Sequence, residues 1–376
     1  MKIAIIANNQ HPVLINSAFG VESYCHTLTT GLVNKGHSVT LYASGDSKVP
    51  STVISVHPIG TAFDKSITQE YQKQYQDWLY LKAYQQSNNY DIMLSNDPTR
   101  SLFYSFFSKT PTLSVIHSPW NEERYPIAIL EALLKEDQNN WLLAISDYQR
   151  KEIAKNIKNV RLVYHGIDIS QIKLYAESKN DYLLFLGRVN QRKGIHLAVD
   201  SSIATKKLLK IFGFIAKNEE MQFFEQVLLP KISENKNIEF SNSVIDTTKY
   251  NLLNEARAFL FPIQWEEPFG LVLIESMACG TPVIAFARGS VPEIIKDGET
   301  GYLINPSNDD IRGDWIIKKT GFDGLCEAIE KIYSLPEHEY RNMRKACRAR
   351  VENHFTVERM IEDYEHVFNE IRKINL

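Results

Sequence analysis

The sequence predicts an α/β protein built on parallel sheets, in two similar halves. Three observations predict it. Short apolar runs alternate with helical patterns along the whole chain. The N-terminal stretch reads strand (KIAIIA), glycine-bearing loop, helix (GVESYCHTLTTGLVNKGH), strand (SVTLYA), which is one unit of a parallel sheet. A second series of apolar runs then starts at residue 181.

In the first half the strands are KIAIIA, SVTLYA, DIMLS, TLSVIH, WLLAIS and VRLVYH. In the first helix Val21, Tyr24, Leu28, Leu32 and Val33 recur at helical spacing, and Gly36 ends it. Residues 71–84, YQKQYQDWLYLKAY, place aromatics three and four apart and read as a helix packed on the sheet rather than a membrane face. The second half contributes DYLLFLG, KLLKIFGF, NIEFS, RAFLFP, TPVIAF and GYLI. The polar stretch over 168–180 marks the boundary, giving domains 1–170 and 171–355. Residues 335–375 are charged and helical without a strand, and 356–376 are expected to pack back on the first domain.

A chain of 376 residues fits two domains. Its 44% hydrophobic and 23% charged residues are those of a globular protein. A net charge of −3 excludes a general nucleic-acid binder. Cys25, Cys279, Cys326 and Cys347 have neither CxxC spacing nor a disulfide framework, and they fit reduced cytoplasmic thiols. The start, MKIAIIANNQ, is too short an apolar run for a secretory signal, and no run reaches a membrane span. The expected location is cytoplasmic.

Chemistry concentrates at strand ends. In DYLLFLGRVNQRKG a strand ends near Gly187, Arg188 and Lys193 follow, and Gly194 opens a helix, a combination suited to a phosphate. The loop is neither GxxxxGK[ST] nor GxGxxG, and two loop cations taken alone are solvated surface more often than not. Gly20 in NSAFGVES holds the matching position after the first strand, where a plain tight turn explains it as well. His117 ends the strand TLSVIH, and a satisfied histidine at a domain edge is the alternative there.

In EEPFGLVLIESMACGTPVIA, Pro268 and Gly270 put Glu267 in a loop, with a helix from about Phe269 to Gly280 that carries Glu275. A carboxylate among such apolar neighbours needs compensation. Eight helical residues rise about 12 Å, more than the ~5–9.5 Å that separates the carboxylate pairs of glycoside hydrolases. The two glutamates therefore suit the two ends of an extended ligand.

Taken in order, EEPFGLVLIESMACGTPVIAFARGSVPEIIKDGETGYLI, LGRVNQRKG, FGVES…LVNKGHSVTLY and HGID resemble family 4 of the retaining, nucleotide-sugar-dependent glycosyltransferases, which have the GT-B fold. The resemblance covers most of the chain. It implies two Rossmann-like domains facing across a donor-binding cleft, the first on the acceptor side and the second holding the nucleotide sugar. It implies that Arg188 and Lys193 hold the diphosphate and stabilise the departing nucleotide, that Glu267 faces the donor sugar, and that Glu275 partners the ribose hydroxyls. By the same resemblance the amides of Phe269, Gly270 and Leu271 approach the sugar and phosphate, and ligand hydroxyls compensate Glu275. His117 matches the family's cleft histidine by strand position. Only Gly20 is carried over where family members often have two glycines.

The implied reaction moves a sugar from a nucleoside diphosphate, UDP favoured, to an acceptor with retention, without a metal and with no cofactor beyond the donor as co-substrate. The acceptor is a sugar, a lipid or a small molecule, with peripheral membrane contact left open. Rival readings are a nucleotide-sugar 2-epimerase, a sugar phosphorylase, and a non-catalytic sugar-binding protein.

Overall fold

A computed structural model describes residues 1–374 apart from 16, 18, 138, 171, 175–180, 216–217 and 243–248. Two positions of the NSAFGVES stretch, Asn16 and Ala18, and most of the polar segment around the expected domain boundary thus lie outside the described residues. The chain divides into two compact units, Met1–Gly166 with Val357–Leu376, and Ile167–Thr356.

In the first unit seven strands form one sheet: β1 (Lys2–Ile6), β2 (Ser38–Tyr42), β3 (Thr52–Ile54), β4 (Ile92–Ser95), β5 (Thr112–Val115), β6 (Asn140–Ala144) and β7 (Val160–Leu162). Their order is β3-β2-β1-β4-β5-β6-β7, and every pairing is parallel. The central strands are buried at every position because helices cover both sheet faces. β3, unforeseen from the sequence, has three residues and no buried one.

The helices are α1 (Gly20–Asn34), α2 (Gln69–Gln85), α3 (Pro98–Tyr104), α4 (Ile127–Glu136) and α5 (Asp147–Ala154). Gly36, with φ +87°, follows the end of α1. Thr68 caps α2 by accepting the Tyr71 amide. The aromatic stretch splits by face: Leu79, Tyr80, Ala83 and Tyr84 join the sheet core with Ala4, Ile6 and Tyr42, while Trp78 and Leu81 are exposed. The C-terminal helix, Val357–Ile374, packs on α1, where the Tyr24 and Tyr364 hydroxyls hydrogen-bond to each other.

The second unit has six parallel strands: β8 (Tyr182–Arg188), β9 (Leu208–Phe214), β10 (Ile238–Ser241), β11 (Ala258–Phe261), β12 (Val283–Phe286) and β13 (Gly301–Ile304). They are ordered β10-β9-β8-β11-β12-β13. Around them lie α6 (Ile195–Thr205), α7 (Asn218–Phe223), α8 (Leu229–Glu234), α9 (Lys249–Glu255), α10 (Leu271–Ala278), α11 (Val291–Ile294), α12 (Gly321–Ser334) and α13 (Glu337–His354). One core joins Leu183, Phe185 and Ile211 of the sheet to Ala198 and Val199 of α6 and Leu325 and Ile329 of α12.

In each sheet the strand order reverses at one place, between β1 and β4 and between β8 and β11. Connections leave such a point in opposite directions and open a crevice at the strands' carboxyl ends. Among the described residues no helix is long and apolar enough to cross a membrane.

Candidate active site

In the second unit the chain leaves β8 at Arg188 and turns before α6. Asn190 makes that turn, its Oδ1 accepting the Lys193 amide at 3.0 Å. Gly194 sits at φ +73°, and a Cβ there would overlap the Pro262 carbonyl oxygen. Only glycine lets the turn lie against the end of β11. The result brings Lys193 to Glu267, with Nζ 3.0 Å from Oε2. The Trp265 indole N–H donates to the same oxygen at 2.8 Å, and Lys193 Nζ lies 5.0 Å from the Trp265 ring centroid. Glu267 is only 7% exposed, and these donors offset the cost of burying its charge.

Arg188 does not join that pair directly. Its guanidinium binds Glu220 on α7, whose Oε1 also accepts from Asn190 Nδ2 at 3.3 Å. The Arg188 side chain remains 45% exposed.

The loop carrying Glu267 is held from outside. Its neighbour Glu266 accepts from Arg288 at 3.1 Å, from Arg312 at 2.8 Å and from the Gly289 amide at 2.7 Å. The Ser290 amide donates to the Glu267 carbonyl at 2.9 Å. Phe269 is buried, and its ring meets Phe355 edge-on. Gly270 has φ +89° and stands just outside the helix, which begins at Leu271. The expected start at Phe269 is therefore two residues early, because a left-handed residue cannot continue a right-handed helix backward. Gly280, at φ +73°, follows its end. Leu271 opens a helix whose first amides lack intrahelical partners.

Glu275, in the middle of α10, corrects the sequence reading. Its carboxylate does not depend on a ligand for compensation, because Lys249 of α9 pairs with Oε1 at 2.7 Å. Burial disfavours the Lys249 charge, but the adjacent Glu275 carboxylate, together with Tyr250 and Cys279, outweighs it and raises the lysine pKa.

Gly20 and His117 belong to the first unit, apart from the set above. Gly20 is the exposed first residue of α1. His117 follows β5, with Nε2 2.8 Å from Asn96 Oδ1. Asn96 Nδ2 donates to the Ile6 carbonyl at 3.0 Å, which leaves Oδ1 as the acceptor. Nε2 therefore carries the imidazole proton and Nδ1 the lone pair. Burial holds the His117 pKa down to about 3, so the ring is neutral near pH 7. His117 borders a cavity of about 300 Å³ at the ends of β1, β4 and β5.

Sequence reasoning missed Glu220, Lys249, Trp265 and the Glu266–Arg288–Arg312 cluster. Glu266 and Trp265 adjoin a singled-out residue and were open to notice, whereas Glu220 and Lys249 lie 32 and 26 residues from the groups they hold.

Comparison with known proteins gives two family matches: Glycosyl transferases group 1 over residues 167–349 and Glycosyltransferase Family 4 over residues 19–171. The N-acetyl-alpha-D-glucosaminyl L-malate synthase of Bacillus anthracis is 31% identical over 254 residues, 62% of this chain and 61% of that protein. Sucrose-phosphate synthase from Thermosynechococcus elongatus superposes with a TM-score of 0.77 at 21% identity, over 99% of both chains. Anabaena Alr3699/HepE in complex with UDP-glucose does so with a TM-score of 0.72 at 17% identity, over 98% of this chain and 100% of that one. The two family matches run in sequence order onto two parallel-sheet α/β units, so the chain belongs to the GT-B glycosyltransferases of the family 4 type.

Proposed function

We propose that this glycosyltransferase uses a UDP-sugar and transfers its sugar with retention of anomeric configuration. The observation that carries the reading is the Lys193–Glu267 contact of 3.0 Å at the point where the second sheet reverses its strand order. A cation for phosphate and a carboxylate for hydroxyls lie within one contact of each other, matching a donor whose diphosphate adjoins its sugar. The relative crystallised with UDP-glucose supports uridine as the base.

In this reading Lys193 and Arg188 take the charge that grows on the diphosphate as the glycosidic bond breaks. The amides of Gly270 and Leu271 at the start of α10 add to that field. Glu267 accepts from sugar hydroxyls, and Glu275 offers its oxygen away from Lys249 to the ribose. Gly20 lets the backbone approach the donor closely. The neutral His117 accepts a substrate hydroxyl at Nδ1. The departing phosphate oxygen takes the acceptor's proton, so no enzymatic nucleophile is required. With two protein cations on the leaving group, the reaction is metal-independent.

Calorimetry with UDP, GDP and uridine tests the donor: UDP binds, and uridine binds far more weakly. NMR of the first-formed product reads the anomeric configuration, and a chelator leaves the rate unchanged. A chain that binds no nucleoside diphosphate refutes the reading.

A further inference from the structure

We propose that the second unit carries a further ligand site at the amino end of β13, and that its ligand is a free amino acid with an aliphatic side chain. The site goes beyond the donor reading and does not depend on it.

A cavity of about 440 Å³ lies between the turn that enters β13, the end of α12 and the first turns of α13. Its volume falls in the range of small-molecule sites. All strands of this sheet run parallel, so this end is opposite the one where Lys193 meets Glu267. The walls are fixed by the chain itself. Asp297 accepts the Leu303 amide at 2.9 Å and the Ile316 amide at 2.6 Å, which ties the turn to the segment around Ile316. Gly298 has φ +78°, and a Cβ there would overlap the Ile316 side chain. Cys347 Sγ donates to the Thr300 carbonyl at 3.3 Å and pins α13 to the same turn. On α13, Glu339, Asn342, Met343 and Ala346 recur at helical spacing and share the face that lines the cavity.

Three kinds of surface meet there. Ile316, Leu335, Met343 and Ala346 form an apolar wall. Glu299 and Glu339 bring two carboxylates, and neither pairs with a lysine or arginine among the described residues. Lys331 borders the same cavity and forms no ion pair among the described residues, so cation and carboxylates stand apart instead of neutralising each other. Tyr302 points to a ligand independently of these charges. It is only 2% exposed, with its ring in the core, yet its hydroxyl has no hydrogen-bond partner among the described residues. A buried hydroxyl left unpaired is costly. Burial, with the Asp297 and Glu339 carboxylates, raises its pKa and keeps its proton available for donation.

An aliphatic amino acid answers all of these groups at once. Its ammonium meets Glu299 and Glu339, its carboxylate meets Lys331 and the Tyr302 hydroxyl, and its side chain covers the apolar wall. A simple cation would be opposed by Lys331, a simple anion would face two carboxylates, and a sugar would leave the apolar wall bare.

Calorimetry on the full chain tests this with L-leucine, with isocaproate, which lacks the ammonium, and with isoamylamine, which lacks the carboxylate. Leucine binds, and each truncated probe binds at least about tenfold more weakly. In Lys331→Gln the preference over isoamylamine falls to within about twofold. In a Glu299→Gln, Glu339→Gln double variant the preference over isocaproate does the same. All three side chains are exposed, so these changes keep the fold, which thermal melts verify. The proposal is overturned if leucine does not bind, if it binds no better than either truncated probe, or if either preference survives in its variant.

Discussion

Replacing Lys249 by Met removes the cation that holds Glu275 while keeping most of the side-chain volume. The pair is 2.7 Å apart, with side chains 27% and 15% exposed. Exposed pairs contribute about 0–1 kcal/mol, and breaking a fully buried one costs about 3–5 kcal/mol. This intermediate pair should therefore cost about 2 kcal/mol when broken, a fall in Tm of about 4–8 °C for a unit of this size. Glu275→Gln strands the lysine in turn and should cost about 1 kcal/mol. The double variant should cost less than the sum, with a coupling of about 1–2 kcal/mol in urea and thermal melts. The pH dependence has a definite sign. The folded pKa of Lys249 is raised above the ordinary 10.5, so the pair's contribution is complete below that value and fades only as pH climbs through the folded pKa. Additive single effects, with coupling under about 0.5 kcal/mol, would refute the claim that Lys249 is what compensates Glu275.

Lys193→Ala should lower turnover at saturating donor by about 10²–10³, as steady-state kinetics would read. Glu267→Ala should depress kcat while UDP still binds in calorimetry, whereas Glu275→Ala should chiefly raise the donor KM; the reverse pattern would exchange their roles. Gly194→Ala, strained at φ +73° and blocked by the Pro262 carbonyl, should destabilise by about 2–4 kcal/mol in urea melts. His117 predicts a stability profile of its own. Between pH 6.5 and about 3 the unfolded chain takes up a proton that the buried ring refuses, so folding weakens across that window and His117→Gln should flatten the slope.

The strands were legible because parallel sheets bury both faces and write themselves as apolar runs, as in Ile92, Met93 and Leu94 of β4 and throughout Val283–Phe286. β3 escaped because an edge strand of three residues, with no buried side chain, has no such run. Lys193 and Glu267 could each be singled out by residue type and position, but not their contact, which joins residues 74 apart in the sequence. Lys249 was illegible for a different reason. It opens a seven-residue helix with little apolar periodicity, and only the fold reveals that this end meets α10. The start of α10 was misjudged because sequence marks Gly270 as a helix boundary without saying on which side it falls.

The first unit is completed by residues that follow the whole of the second, and this has a consequence for how the chain is made. The second unit, contiguous in sequence, can fold as it emerges from the ribosome. The first must wait with its α1 surface bare. Gly31 on that surface leaves room for Ile361, and a Cβ there would overlap the Ile361 side chain. A nascent chain paused before residue 357 therefore presents Gly31 and the Tyr24 hydroxyl without their covers, a state open to chaperones and proteases. Emergence of Val357–Ile374 from the ribosome is then the step that closes the first unit.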